Sequence, residues 1–320
     1  MRLVFRADAS HQFGSGHVMR ITTIAEEAIS RGIECCFVGQ IDQLHWVNNR
    51  VNEMGFKTII KDVDSFVPDA NNDVLVIDSY TTSVGSQYNI LENWKLIVCV
   101  SDPFTPKTTA DLFVNQSLRN PEQILSNVLD GPMYSLIRKE IEKTRKIDTN
   151  NLKVLVSGGG SDPFGFVKVV LNELRSIDLS FEVHAFTSDT LGSYEELNLE
   201  IHEIGPELNL IAGQVDLVIT TASTSSTEFI AREVPTLVSC VVNNQETFYR
   251  ELSELDYAIP IGVRTSNGDW NLDREVIISA MSTKYLRDEL RNNIKGVIDL
   301  LGPKRVVDEI EHRAKGVARR

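Results

Sequence analysis

Positive charge is scarce in this chain. Lys and Arg number 32 against 45 Asp and Glu, so the formal net charge is −13. Without a broad basic face, nucleic acid is excluded as a partner. Long hydrophobic runs are absent too. The apolar Leu3-Val4-Phe5 is interrupted by Arg2, Arg6 and Asp8, and no stretch approaches bilayer length. The expectation is a cytoplasmic protein with no stable membrane insertion. Cysteine is limited to Cys35, Cys36, Cys99 and Cys240, with no CxxC pair; all lie in or close apolar runs, as reduced core thiols do. Histidine is also sparse, six residues in all. No two have metal-ligand spacing with a carboxylate, so the sequence predicts no metal and no cofactor. His45, His184, His202 and His312 read as structural or exposed.

What is present is an ordinary globular balance, 42% hydrophobic and 24% charged, over 320 residues, long enough for two domains. Short apolar runs alternate with segments of helical period. A helix is predicted from about Gly16 to Arg31, strands over Ile33–Val38, Phe56–Ile60, Asp73–Ile77 and Lys95–Val100, and a helix over Val84–Asn93. The polar stretch 139–151 reads as a linker. Beyond it the alternation restarts at Leu152–Val156, continues through Phe181–Phe186, Glu200–His202, Asp216–Ile219 and Thr236–Ser239, and closes with helical patterns near 283–300 and 303–318. Such alternation predicts α/β architecture with parallel sheets covered on both faces. Two Rossmann-like domains, 1–148 and 149–320, are expected to face a cleft, with the last helices packing back on the junction.

In open parallel sheets, ligands bind beyond the carboxyl ends of the strands. Four strand-end loops have unusual chemistry. The first runs from Arg6 to Arg20 and contains Asp8, His11, Gly14, Gly16 and His17. Gly14 and Gly16 allow a close approach of a ligand to backbone N–H groups. His17 falls in the first helical turn, whose positive end favours a neutral imidazole suited to a general base; on spacing alone it reads equally well as a capping histidine, and His11 is a weaker second candidate. Met19, just before Arg20, stands where a dinucleotide fingerprint has its third Gly, which argues against a dehydrogenase. The second loop, Ser157-Gly158-Gly159-Gly160-Ser161-Asp162-Pro163, exposes a nest of N–H donors but lacks a P-loop Lys. The third, Thr220 to Glu228, puts Ser223, Ser225 and Ser226 at a helix start, where a diphosphate finds donors, and Glu228 one to two turns on, placed to accept from ribose hydroxyls. The fourth is Asn243-Asn244-Gln245-Glu246, whose amides match sugar hydroxyls and N-acetyl groups. Each of these last three also reads as an ordinary turn or cap. Asp78-Ser79-Tyr80 ends another strand and points to the same cleft.

Together these loops resemble the GT-B superfamily of nucleotide-sugar enzymes. GSGH in the first half with GGGSD, TASTSSTE and NNQE in the second is similar to the lipid II-forming N-acetylglucosaminyltransferase family. The sequence more closely resembles the UDP-2,4-diacetamido-2,4,6-trideoxy-β-L-altropyranose hydrolase family, PseG, of pseudaminic acid biosynthesis. The matching residues are Arg6, Asp8, Ser10, Gly14, Gly16, His17 and Arg20, then Asp78 and Tyr80, Tyr134 and Arg138, and Asn244, Gln245 and Glu246. Spore-coat polysaccharide proteins share the opening motif. TTASTSSTE departs toward the transferase pattern. The resemblance implies a GT-B fold and metal-independent, inverting hydrolysis of a UDP-sugar at the anomeric C–O bond. His17 would be catalytic. Arg6, Asp8, Gly14, Gly16, Arg20, Asp78, Tyr80, Gly159, Gly160, Ser223, Ser225, Ser226, Glu228, Asn244 and Gln245 would bind substrate. The alternative it leaves open is a GT-B glycosyltransferase of polysaccharide biosynthesis that uses a UDP-sugar donor.

Overall fold

The computed structural model describes residues 1–12, 14–80, 86–102, 109–141 and 151–316. It divides into two compact units, Met1–Arg138 with Asp299–Arg320, and Lys139–Ile298.

The first unit is built on seven strands: β1 (Arg2–Arg6), β2 (Glu34–Val38), β3 (Thr58–Ile60), β4 (Asp73–Ile77), β5 (Leu96–Ser101), β6 (Leu112–Asn115) and β7 (Val128–Leu129). Their order is β3-β2-β1-β4-β5-β6-β7, and every neighbouring pair is parallel. Period-two alternation sends Leu3, Phe5, Val74, Val76, Val98 and Val100 to one face. Val4, Leu75, Ile77, Ile97 and Cys99 go to the other, so the strands read as unbroken apolar runs. Helix α1 (Gly16–Ser30) lays Val18, Ile21, Ile24, Ala25 and Ala28 on the first face. Gly32, at φ 74, follows its end. Helix α2 (His45–Glu53) adds Val47 and Val51.

The second unit repeats the plan. Its strands are β8 (Leu152–Ser157), β9 (Phe181–Phe186), β10 (Asn198–His202), β11 (Leu217–Thr221), β12 (Thr236–Cys240), β13 (Ile259–Arg264) and β14 (Trp270–Leu272). The order is β10-β9-β8-β11-β12-β13-β14, parallel except for β13 with β14. Helices α3 (Phe166–Leu174), α4 (Leu208–Ala212), α5 (Thr224–Ala231), α6 (Glu246–Glu254), α7 (Arg274–Ser282) and α8 (Lys284–Ile294) belong to it. In both sheets the strand order reverses beside the first strand, which opens a crevice at the carboxyl ends there. Among the described residues, no helix is long and apolar enough to cross a membrane.

Two expectations change. The helix over Val84–Asn93 is replaced, from Ser86 onward, by short 3₁₀ turns at Gln87–Asn89 and Leu91–Asn93; residues 81–85 lie outside the described set. The Trp94 indole N–H donates to the Gln87 carbonyl at 2.9 Å, taking an acceptor that an α-helix would use itself. The linear division at 148/149 also differs from the compact units. Helix α9 (Gly302–Gly316) lies in the first unit, where Val306, Val307, Ile310 and Ala314 join the core beneath α1. Arg31 at the end of α1 pairs with Asp308 at 2.7 Å and Glu311 at 2.8 Å. Residues 142–150 of the expected linker lie outside the described set.

Gly302 seats α9 on the first unit, because a Cβ there would meet the Ser135 carbonyl oxygen at 2.1 Å. Gly302→Ala is therefore expected to cost about 1–3 kcal/mol through overpacking. Urea unfolding of the full chain measures it; unchanged stability would mean that α9 docks without this close approach.

Candidate functional site

The first unit gathers four of the predicted residues at the carboxyl ends of β1, β4 and β5. Asp78 follows β4 directly and is almost fully buried. His17 and Arg20 lie in the first turns of α1, three residues apart and so on one face. Asp78 takes both: its Oδ1 is 2.5 Å from His17 Nδ1, and Oδ2 accepts from Arg20 Nε at 2.8 Å. Arg20 also donates a second bond to Asp78 Oδ1 at 2.8 Å. Tyr80 stands edge-on to the His17 ring at 4.3 Å between centroids, and its hydroxyl donates to Asp102 Oδ2 at 2.5 Å. Asp102 in turn lies 3.4 Å from Arg20.

The electrostatics follow from burial and pairing. Burial would push the Asp78 carboxyl up, but Arg20 and His17 hold it below the usual carboxylate range. Burial opposes the charge of Arg20, and Asp78 more than offsets it, so its pKa rises. Burial and the bond to Asp102 push the Tyr80 phenol above its ordinary value. A carboxylate only accepts, so His17 Nδ1 donates to it, and in the neutral imidazole Nε2 then keeps its lone pair. That is the geometry of an oriented base.

Sequence reasoning missed Asp102. Its signal was available: it directly follows a strand, one residue beyond the apolar run, much as Asp78 does. Arg6 and Asp8 form a separate pair at 2.7 Å, with Arg6 5.6 Å from the Tyr88 ring centroid and Asp8 accepting from the Gln40 N–H. Gly14 adopts φ 78 and pairs with Ser10. Gly16 opens α1, and the Ser15 side chain makes no cap bond. His11 is exposed.

In the second unit, three predicted loops follow the adjacent strands β8, β11 and β12. Gly159, at φ 96, is where two of them meet. A Cβ there would lie 3.7 Å from Thr221 Oγ1, 3.8 Å from Ser223 Oγ and 3.9 Å from Ser225 Oγ. Its own N–H donates to Ser157 Oγ at 3.2 Å, and Gly160 follows it. Ser226 differs from its predicted role. Fully buried, it exchanges a capping box with Ser223, accepting from the Ser223 N–H and donating to its carbonyl. Asp162 caps α3 through the N–H groups of Phe166 and Val167 at 2.8 and 3.0 Å, so Pro163 precedes the helix rather than opening it. Glu228 is buried on α5. Gln245 Oε1 accepts from the Val241 N–H at 2.9 Å and closes its own turn; Asn244 beside it is exposed.

The absence of a metal-ligand set needs correction. His184, Glu200 and His202 place one ligand atom each within 4.8 Å of one another. Spacing along the chain concealed this, because β9 pairs with β10 and sets His184 beside Glu200.

The two sheets and their strand order define the GT-B fold. The calicheamicin glycosyltransferase CalG4 superposes with a TM-score of 0.64 and 15% identity, covering 100% of both chains. MurG of Acinetobacter baumannii gives 0.64 and 12%, covering 98% of this chain and 100% of its own. A Listeria monocytogenes protein named as a putative UDP-N-acetylglucosamine 2-epimerase gives 0.65 and 12%, with 100% and 98% coverage. In sequence, the chain is 26% identical over 270 residues to the Methanocaldococcus jannaschii protein MJ1062, covering 74% of this chain and 55% of that protein. The chain thus spans about half the length of that curated relative. No family profile matches it.

Asp78→Asn removes the charge that Arg20 and His17 share. At neutral pH the loss is expected to be about 3 kcal/mol, as for breaking a buried pair. The folded pKa of Asp78 is depressed, so the stabilisation is present above its unfolded pKa and fades as pH falls through the folded one. The difference between wild type and variant should therefore narrow below about pH 4. Urea unfolding at several pH values checks the sign; a difference that grows in acid would reverse it.

Proposed function

We propose that this protein breaks the anomeric C–O bond of a nucleotide sugar and transfers the sugar to a hydroxyl acceptor, with His17 as the base. The observation that carries the reading is the His17–Asp78 contact of 2.5 Å, which leaves Nε2 to accept a proton. In the step proposed, the acceptor O–H gives its proton to Nε2 and its oxygen attacks C1. The C1–O bond breaks, and its electron pair leaves on the diphosphate. Attack opposite the leaving group inverts the anomeric centre. Arg20 and Asp78 hold the base, and Tyr80 fixes its ring plane. In the second unit, Gly159, Gly160, Ser223 and Ser225 are the candidates for the diphosphate, Glu228 for the ribose and Asn244 for the sugar. Arg6, Asp8, Gly14 and Gly16 are assigned to the acceptor or sugar. The GT-B likeness supports this donor class, since CalG4 is a glycosyltransferase and the Listeria neighbour is named for a UDP-sugar.

A second reading puts water in place of the acceptor, releasing UDP and 2,4-diacetamido-2,4,6-trideoxy-L-altrose. It is favoured by the same four residues, His17, Arg20, Asp78 and Tyr80, which carried the resemblance to the hydrolase family and which contact one another directly. A panel of UDP-sugars, followed for UDP release with and without hydroxyl acceptors, separates the two. Release that needs an acceptor supports transfer; release in water alone replaces transfer by hydrolysis. No turnover of any nucleotide sugar would overturn both.

His17→Ala is expected to lower turnover by ~10²–10⁴ and to leave UDP binding within a few-fold, because His17 would meet the nucleophile rather than the nucleotide. Initial rates with calorimetric UDP binding test this; wild-type turnover would remove the mechanism. Glu228→Ala deprives the ribose of a charged acceptor, at roughly 1.5–3 kcal/mol, so UDP affinity should fall about ten- to a hundredfold. KM should rise equally and kcat should hold, since the ribose is unchanged by the reaction. Unaltered UDP affinity would move the nucleotide away from α5.

A further inference from the structure

We propose that His184, Glu200 and His202 form a binding site for one divalent transition-metal cation of the zinc type, independent of the reacting centre. Parallel register puts Glu182, His184 and Phe186 of β9 on one face with Glu200 and His202 of β10. Both histidines are largely buried, while the Glu200 side chain is 64% exposed. His184 Nδ1 lies 3.1 Å from His202 Nε2 and 3.3 Å from Glu200 Oε2. The third edge of this triangle, His202 Nε2 to Glu200 Oε2, is 3.9 Å. Tetrahedral zinc with ligands at about 2.0–2.2 Å sets neighbouring donor atoms about 3.3–3.5 Å apart. Two edges of the triangle come within about 0.2 Å of one face of that tetrahedron, and the third closes if the exposed Glu200 carboxylate swings toward His202. The ring centroids are 5.3 Å apart, farther than the facing nitrogens, so the two rings present those nitrogens to each other.

The outer nitrogens carry the argument further. His184 Nε2 lies 2.9 Å from Glu182 Oε1, and Glu207, which precedes α4, has Oε2 3.6 Å from His202 Nδ1. A carboxylate behind each imidazole is the arrangement that fixes a metal-binding tautomer. With the outer nitrogens protonated, two lone pairs and a carboxylate converge. Such a cluster needs a cation: either a shared proton or a metal. Donor type favours zinc-like ions over calcium or magnesium, which prefer oxygen ligands. The exposed side of Glu200 leaves room for water in the fourth position. Because β10 is an edge strand, the cation would pin that edge to β9, and α4 beyond it through Glu207.

The test uses the tag-free full chain, stripped with chelator and titrated with Zn²⁺ against a chromophoric competitor, and separately with Co²⁺. The expected result is one tight equivalent of Zn²⁺ and, with Co²⁺, the visible absorption of a tetrahedral complex. His184→Gln and His202→Gln should each weaken binding at least about a hundredfold, and the outer Glu182→Gln about tenfold. Binding should fade below about pH 6 as the imidazoles protonate. Should either histidine variant misfold by circular dichroism, Glu200→Gln, at an exposed position, should still lose affinity at least about tenfold and the cobalt spectrum with it. No stoichiometric Zn²⁺ binding, or binding that Glu200→Gln and the folded histidine variants leave unchanged, overturns the proposal in favour of a shared proton.

Discussion

The carboxylate of Asp78 is the constraint on which the first unit's chemistry rests. A charge this deeply buried persists only if something opposite meets it. Arg20 meets it with two donors, which ties the second turn of α1 to the end of β4. His17, one turn earlier, is then held to the same group. One anion therefore orders a helix start, orients an imidazole and decides its tautomer. Tyr80, beyond the same strand, and Asp102, at the end of the neighbouring β5, close the arrangement, so that Arg20 sits between two carboxylates with Asp78 the nearer.

Much of this was legible because chain geometry dictates it. His17 and Arg20 share a face by helical spacing, and Asp78 and Tyr80 sit where a strand run ends. Nothing local tells that Tyr80 will bond Asp102, since that contact spans 22 residues and two strands. The loops of the second unit were legible as loops but less so as ligands. Ser226, Asp162 and Gln245 have donors and acceptors suited to a substrate, yet spend them on the backbone of their own turns. Short polar side chains serve both purposes, and only the fold shows which. The histidine pair was hidden for a different reason: its members come from adjacent strands, and strand register is invisible to spacing.

The two units hold their candidate binding groups differently. The first concentrates formal charge in a few buried pairs, each fixed by another. The second offers hydroxyls around the bare backbone of Gly159, with Thr221, Ser223 and Ser225 all within 4 Å of where its side chain would be. Fixed charges suit a step in which a proton moves. A crowd of neutral donors suits an anionic group that must be bound and then released.

The return of α9 to the first unit has a consequence for synthesis on the ribosome. Residues 139–298 form one unbroken insertion within a unit whose last helix is translated after them. As the chain emerges N-terminus first, the inserted unit is complete before α9 exists. Until then the apolar face shared by β1, β4 and α1 lacks Val306, Val307, Ile310 and Ala314. The first unit to be started is thus the last to be finished, and part of its core stays uncovered until the whole of its neighbour has been made.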